Sequence, residues 1–204
     1  MLIFDIGANR GDFTLSALQR GYFVVALEPA PKVFQELVIR FLYNMNVVPL
    51  KFAVSDKDFE RVSFYEAEED GLSTLNKDWL TSDEMRYAGK PFREIEATTC
   101  TIDWLVEKYG VPELIKIDVE GGEWAVFRGM TKKYGYITFE WVIETLDQHI
   151  EQLKYLETLG YTEWGIQGGD WHFVEPEKWL PLSEVSSLET IPTEPLDWGM
   201  IWVR

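Results

Sequence analysis

Asp118, Glu120 and Glu140 are the residues of this 204-residue chain whose type and spacing are best suited to chemistry. Asp118 and Glu120 stand in LIKIDVEGGEW, residues 114–124, and Glu140 in ITFEW, residues 137–141. Each follows or ends a short apolar run that reads as a parallel strand, and ligands of open α/β sheets sit outside the carboxyl ends of the strands. Carboxylates converging there can act as a general base, as acceptors for substrate hydroxyls, or as oxygen ligands to Mg2+ or a similar hard cation. The pattern leaves these three roles open. Glu123, in the same stretch, reads instead as a complement to a helix dipole.

A second constellation opens the chain. Ile3-Phe4-Asp5-Ile6 has the character of a buried strand, Gly7-Ala8-Asn9-Arg10-Gly11 is a turn, and Phe13 to Leu18 has helical spacing. That order leaves bare backbone at a helix N-terminus, where a ligand can approach. Its companion is Glu28, followed by the strand-ending Pro29; an acid about twenty residues beyond such a turn accepts hydrogen bonds from ribose hydroxyls. The pair points to a nucleoside. A dinucleotide fingerprint, G-x-G-x-x-G, is not met, because Asn9 and Asp12 occupy the other two glycine positions. A pyrophosphate would meet Asp12 there. S-adenosylmethionine carries no phosphate and a sulfonium cation, so acids at Asp5 and Asp12 suit it. A Tyr-x-x-x-Lys pair of the short-chain dehydrogenase kind is absent from the sequence.

These residues need a scaffold, and apolar strands alternate with helical stretches through the first two thirds of the chain, the mark of a parallel α/β sheet. Strands are expected at residues 22–27, 47–54, 114–117 and 136–139, with helices over 32–43 and 145–159. Thr101 caps a further helix, with Asp103 in its first turn. Residues 161–166 and 198–203 read as two closing strands, antiparallel where they meet. Residues 66–99 are polar and irregular, which predicts a surface excursion or lid on a single domain spanning 1–204. Lys116 and Asp118 alternate with Ile115 and Ile117, and charges in a central strand are costly unless partnered.

The totals narrow the partners. A formal net charge of −16 and a pI near 4.5 make a phosphate-neutralising surface improbable, which argues against nucleic acid and favours a neutral or cationic small molecule. Cys100 is the only cysteine, so no intrachain disulfide and no thiolate metal cluster is available, in keeping with a reducing, cytoplasmic setting. Neither a secretory leader nor a membrane-length apolar run is present in the sequence. His149 reads as a surface or packing residue and His172 as part of a hairpin. The tryptophans read mostly as core, with Trp171 and Trp179 as candidate substrate walls.

Six stretches, in order, resemble the FkbM family of S-adenosylmethionine-dependent methyltransferases: FDIGANRGDFT, ALEPAP, FAVSD, LSTL, TCTID and LIKIDVEGGEW. The resemblance covers most of the chain. It implies a Rossmann-like class I methyltransferase fold, with a seven-stranded, mostly parallel sheet and an antiparallel C-terminal strand. It also implies O-methylation of a hydroxyl on a sugar or other small metabolite. By position, Asp5, Gly7, Asn9 and Gly11 would contact the methionine part of the cofactor, Glu28 the ribose, and Ala53, Val54 and Ser55 the adenine. Ala8, Phe13, Thr14 and Pro29 complete that cofactor set. Asp118 and Glu120 would lie nearest the transferring methyl, with Glu140 behind them. Family members generally have more chain before the first strand, so an N-terminal element covering the substrate is expected to be missing. Ala30 stands where an asparagine is common, removing a helix cap worth about 1 kcal/mol. The alternative is a nucleoside-binding protein without catalysis; a dehydrogenase is a distant third.

Overall fold

The computed structural model describes residues 1–69, 71–169, 173–190 and 197–204. Trp171 and His172 lie outside them. In chain order the first elements are β1 (Leu2–Ile6), α1 (Asp12–Gln19), β2 (Phe23–Leu27), α2 (Pro31–Arg40), β3 (Val47–Leu50), β4 (Ala53–Val54) and β5 (Arg61–Ala67). There follow α3 (Asp78–Thr81), β6 (Phe92–Cys100), α4 (Ile102–Tyr109), β7 (Leu114–Ile117) and α5 (Glu123–Arg128). The last are β8 (Tyr136–Val142), α6 (Leu146–Thr158), β9 (Glu163–Gly168), β10 (Leu180–Pro181) and β11 (Trp198–Val203).

The large sheet has the order β10-β9-β11-β8-β7-β1-β2-β3, with β3, β2, β1, β7 and β8 mutually parallel and β11 antiparallel to both β8 and β9. It has eight strands where seven were expected. The extra one, β10, is a two-residue edge strand ending at Pro181, which has no N–H to offer a further strand. Strands such as FVVAL and LIKI are buried along almost their whole length because helices cover both faces. Phe4, Ile6, Val25, Leu27, Ile115 and Ile117 pack against α4, α5 and α6. Ile3, Val24, Ala26 and Leu114 pack on the opposite face against α1 and α2. The period-2 alternation of each strand thus divides the core into two layers.

Two expectations need correction. Residues 47–54 are not one strand: β3 joins the large sheet, Lys51 and Phe52 cross over, and β4 pairs in parallel with Thr99 and Cys100 of β6. Nor are residues 66–99 irregular throughout: they begin on the last two residues of β5 and end on β6, with the four-residue α3 between. β5 and β6 pair antiparallel from Arg61–Thr98 to Ala67–Phe92, giving a second, three-stranded sheet of order β4-β6-β5. Between them α3 buries Trp79 and Leu80. This small sheet packs through Phe64, Ala97 and Ile95 onto Ala30 and Val33 beside it.

The register of the large sheet fixes the site. Ile6 pairs with both Leu27 and Ile117, and Ile117 with Phe139. The residues that follow, Gly7, Glu28, Asp118 and Glu140, therefore emerge at one level of the carboxyl rim, where the strand order reverses about β1. Thr101 caps α4 as expected, its hydroxyl accepting from Trp104 N at 3.0 Å. No helix among the described residues is long and apolar enough to cross a membrane.

Candidate active site

Between this rim and the small sheet lies a cavity of about 480 Å³. That volume falls in the range of ordinary small-molecule sites. Its floor is the bend after β1. Gly7 N and Ala8 N donate to Leu27 O at 3.1 and 2.8 Å, which turns the chain sharply over the end of β2. Gly7 adopts φ +72°, and a Cβ there would sit 1.8 Å from the Asp118 carbonyl oxygen, so only glycine lets the loops after β1 and β7 close on one another.

Glu28 is 7% exposed and aims back at this bend. Its Oε2 accepts from Asn9 N at 3.1 Å and its Oε1 from Ala30 N at 2.8 Å, while burial pushes its pKa up to about 7. Asn9 holds φ +48°, and its buried Oδ1 has no hydrogen-bond partner among the described residues. An orphaned acceptor beside a buried carboxylate suits a ligand that carries hydroxyl or ammonium donors.

Of the residues expected to hold a cofactor, Gly7, Asn9, Glu28, Pro29, Ala53, Val54 and Asp118 line the cavity, as does Glu120. The lining does not include Asp5, Ala8, Gly11, Phe13, Thr14 or Ser55. Asp5 is fully buried beneath the bend and accepts from the Thr14 hydroxyl at 2.6 Å. Gly11, at φ +83°, faces α2 instead: a Cβ there would meet Phe41 Cε2 at 2.4 Å and Leu37 Cδ1 at 2.8 Å. Ala8 and Phe13 belong to the core layer under α1, and Ser55 N donates to Cys100 O at 2.9 Å at the end of β4. The sequence reading missed the opposite wall, Phe64, Glu66 and Arg93 of the small sheet, where Arg93 is hydrogen-bonded to Glu66. Only LSTL signalled this wall, through Ser73 and Leu75.

The acids gather as the spacing suggested: carboxylate oxygens of Asp118, Glu120 and Glu140 lie within 4.8 Å of one another. Glu120 sits at φ +54°, and its Oε2 accepts from the Trp79 indole at 2.9 Å. Burial first, then Asp118, holds the Glu120 carboxyl well above the usual range. The same causes, with Glu120 and Glu123 added, push Glu140 up to about 10. Asp118 has a cationic neighbour, Lys116 Nζ at 3.2 Å. Glu123 accepts from Val119 N and Gly121 N at 3.4 and 3.3 Å, capping the start of α5, and burial raises it to about 7.

Beyond Trp79 a smaller cavity of about 220 Å³ is lined by Glu123, Glu140, Thr145 and His149. His149 is a packing residue: its Nε2 accepts from Val142 N at 3.3 Å, its Nδ1 lies 2.9 Å from Gln152 Oε1, and burial lowers its pKa to about 4. Trp179 stands at the other end of β8, over the Arg204 guanidinium at 4.1 Å and beside Tyr136, and walls neither cavity.

The Methyltransferase FkbM domain matches residues 5–163 of the chain. No curated protein sequence matches it. Among solved structures, the fibrillarin pre-rRNA processing protein of Methanococcus jannaschii is similar with a TM-score of 0.49 and 15% identity, over 99% of this chain and 65% of that one. Aeropyrum pernix fibrillarin, solved with natively bound S-adenosyl-L-methionine, gives 0.47 and 13%, over 100% of this chain and 65% of that one. Precorrin-6y C5,15-methyltransferase of Geobacter metallireducens GS-15 gives 0.46 and 14%, over 100% and 79%.

Proposed function

The chain belongs to the FkbM methyltransferase family, and from that premise we propose that it moves a methyl group from S-adenosylmethionine to a hydroxyl oxygen of a sugar or other small metabolite. The observation that carries this reading is the convergence of Gly7, Asn9, Glu28 and Asp118 on one cavity, with a buried carboxylate and an orphaned Asn9 oxygen facing the same space. S-adenosylmethionine, when bound, supplies an electrophilic methyl on a cationic sulfur. Glu28 would accept from its ribose hydroxyls, Ala53 and Val54 would flank its adenine, and the bend at Gly7 and Asn9 would receive its methionine part.

The protein's own contribution is then mostly positional. Aligning two reactants supplies about 7 to 11 kcal/mol, whereas a placed base adds about 10² to 10⁴-fold. A neutral alcohol needs its proton taken or polarised. Burial and the neighbouring acids push the Glu140 carboxyl up, which favours its protonated, donating form. Asp118, beside Lys116, is left to take the acceptor's proton, with Glu120 orienting the hydroxyl. A second reading rests on the spacing of the three carboxylates, within 4.8 Å of one another, which suits a hard cation such as Mg2+ that polarises the hydroxyl instead.

The test is transfer of labelled methyl to a panel of sugars and small alcohols, with and without EDTA. Labelled ether product supports the reading, and loss of product in EDTA assigns the polarising role to a cation. Binding of S-adenosylhomocysteine without transfer to any acceptor supports the alternative of a nucleoside binder. No binding of S-adenosylhomocysteine by calorimetry overturns both.

A further inference from the structure

Lys116 is 5% exposed and lies in the middle of the large sheet, a position that packing alone would give to Val or Ile. Its Nζ donates to the Gly7 carbonyl at 2.9 Å and lies 3.2 Å from Asp118 Oδ2 and 3.5 Å from Asp5 Oδ1. The Phe13 ring lies 6.0 Å away on another side. Asp5 is its direct cross-strand partner in the register of β1 and β7. The floor under the cavity therefore holds two carboxylates and one ammonium, joined to the carbonyl of the bend. Breaking such a buried arrangement at one member leaves an uncompensated charge.

Resting on the donor reading above, we propose that Lys116 is a positioning residue that pins the Gly7 carbonyl to Asp118 and sets how strongly the cavity prefers a sulfonium donor over its thioether product. When the methyl leaves, the carbon–sulfur bond breaks with its electron pair kept on sulfur, a carbon–oxygen bond forms, and the acceptor's proton passes to a carboxylate. The donor thereby loses its positive charge for good, while the floor returns to its own charge once that proton has passed on to water. With Lys116 present the floor carries one net negative charge. Without it the charge doubles and the cation is held tighter than the neutral product, which slows exchange of product for donor.

Calorimetry on the full chain at about pH 8 tests this, with S-adenosylmethionine and S-adenosylhomocysteine as probes. In Lys116→Met the ratio of product Kd to donor Kd is expected to rise about tenfold, the size of one added unit charge in a partly screened site. The double variant Asp5→Asn with Lys116→Met returns the floor to its original charge and is expected to restore the ratio. Should Lys116→Met not fold, Asp5→Asn alone removes one negative charge and is expected to lower the ratio by a similar factor. A purely structural Lys116 weakens both ligands equally, so ratios unchanged within about twofold in the variants that fold overturn the proposal. If the wild-type chain binds neither ligand, the donor reading itself has failed; if it binds both and the ratios stay fixed, only the role of Lys116 has.

Discussion

Glu28→Gln tests the cofactor grip with a near-isosteric change. The carboxylate spends one lone pair of each oxygen on the Asn9 and Ala30 amides, leaving the others for a ligand. Glutamine keeps one acceptor oxygen and turns an NH2 group toward one of those amides. Hydrogen bonds to charged groups contribute about 1.5–3 kcal/mol each. Losing one from the ribose should therefore weaken S-adenosylhomocysteine by about 10- to 150-fold at pH 8. The pH dependence sharpens this. The folded pKa of about 7 lies above the ordinary carboxyl value of 4.5, so ionising Glu28 costs folding energy that grows as pH rises from 4.5 to 7 and is level above. Glu28→Gln is spared that cost of about 3 kcal/mol, which offsets its lost backbone bond, and it should melt no lower than wild type at pH 8. A ribose diol prefers the ionised form, so wild-type affinity should climb with pH and level off above about 7, while the variant stays flat. Calorimetry from about pH 5.5 to 8.5, with a thermal melt at each point, measures both. A variant that binds within about threefold of wild type at pH 8 would show that Glu28 does not hold the ribose.

Asp118→Asn should lower single-turnover methyl transfer by about 10² to 10⁴-fold in rapid-quench experiments; full retention of the rate would remove Asp118 as the base. His149, lowered to about 4 by burial, makes folding stability fall as pH drops from 6.5 toward 4, by about 3 kcal/mol in all. Urea titrations of His149→Gln should lose most of that acid limb, and an unchanged slope would place the titration elsewhere. Gly11→Ala should cost about 2–4 kcal/mol in the same assay, through left-handed strain and collision with Phe41. Refolded Gly11→Ala should still bind S-adenosylhomocysteine, because Gly11 faces α2 and not the cavity; loss of binding at full folding would contradict that placement.

Burial explains which parts of this protein could be read in its sequence. Strands β1, β2 and β7 are covered on both faces and write themselves as apolar runs broken only by Asp5 and Lys116, and the residues that follow them, Gly7, Glu28 and Asp118, could be named without a structure. Strand β6 is half-exposed, and Arg93, Glu94 and Glu96 interrupt its apolar positions. Its partner β5 lies across a long insertion, so its pairing left no local signal. The wall it builds, with Glu66 and Arg93, was invisible for the same reason. The opening motif misled in another way. IFDIGANRGDFT mixes residues that face the cavity, Gly7 and Asn9, with residues that pack beneath or beside the bend, Asp5, Gly11, Phe13 and Thr14. Linear spacing cannot separate the two groups, because one tight bend needs both. What joins them is Lys116, whose cost as a buried charge the sequence announced and whose partners only strand pairing could supply. Since Asp5 and Lys116 are opposed by the ladder of β1 and β7, not by long flexible side chains, a one-residue slip would turn Lys116 to the other face and leave Asp5 without its counter-charge. The register that aligns the rim and the charge balance beneath it are thus a single structural requirement.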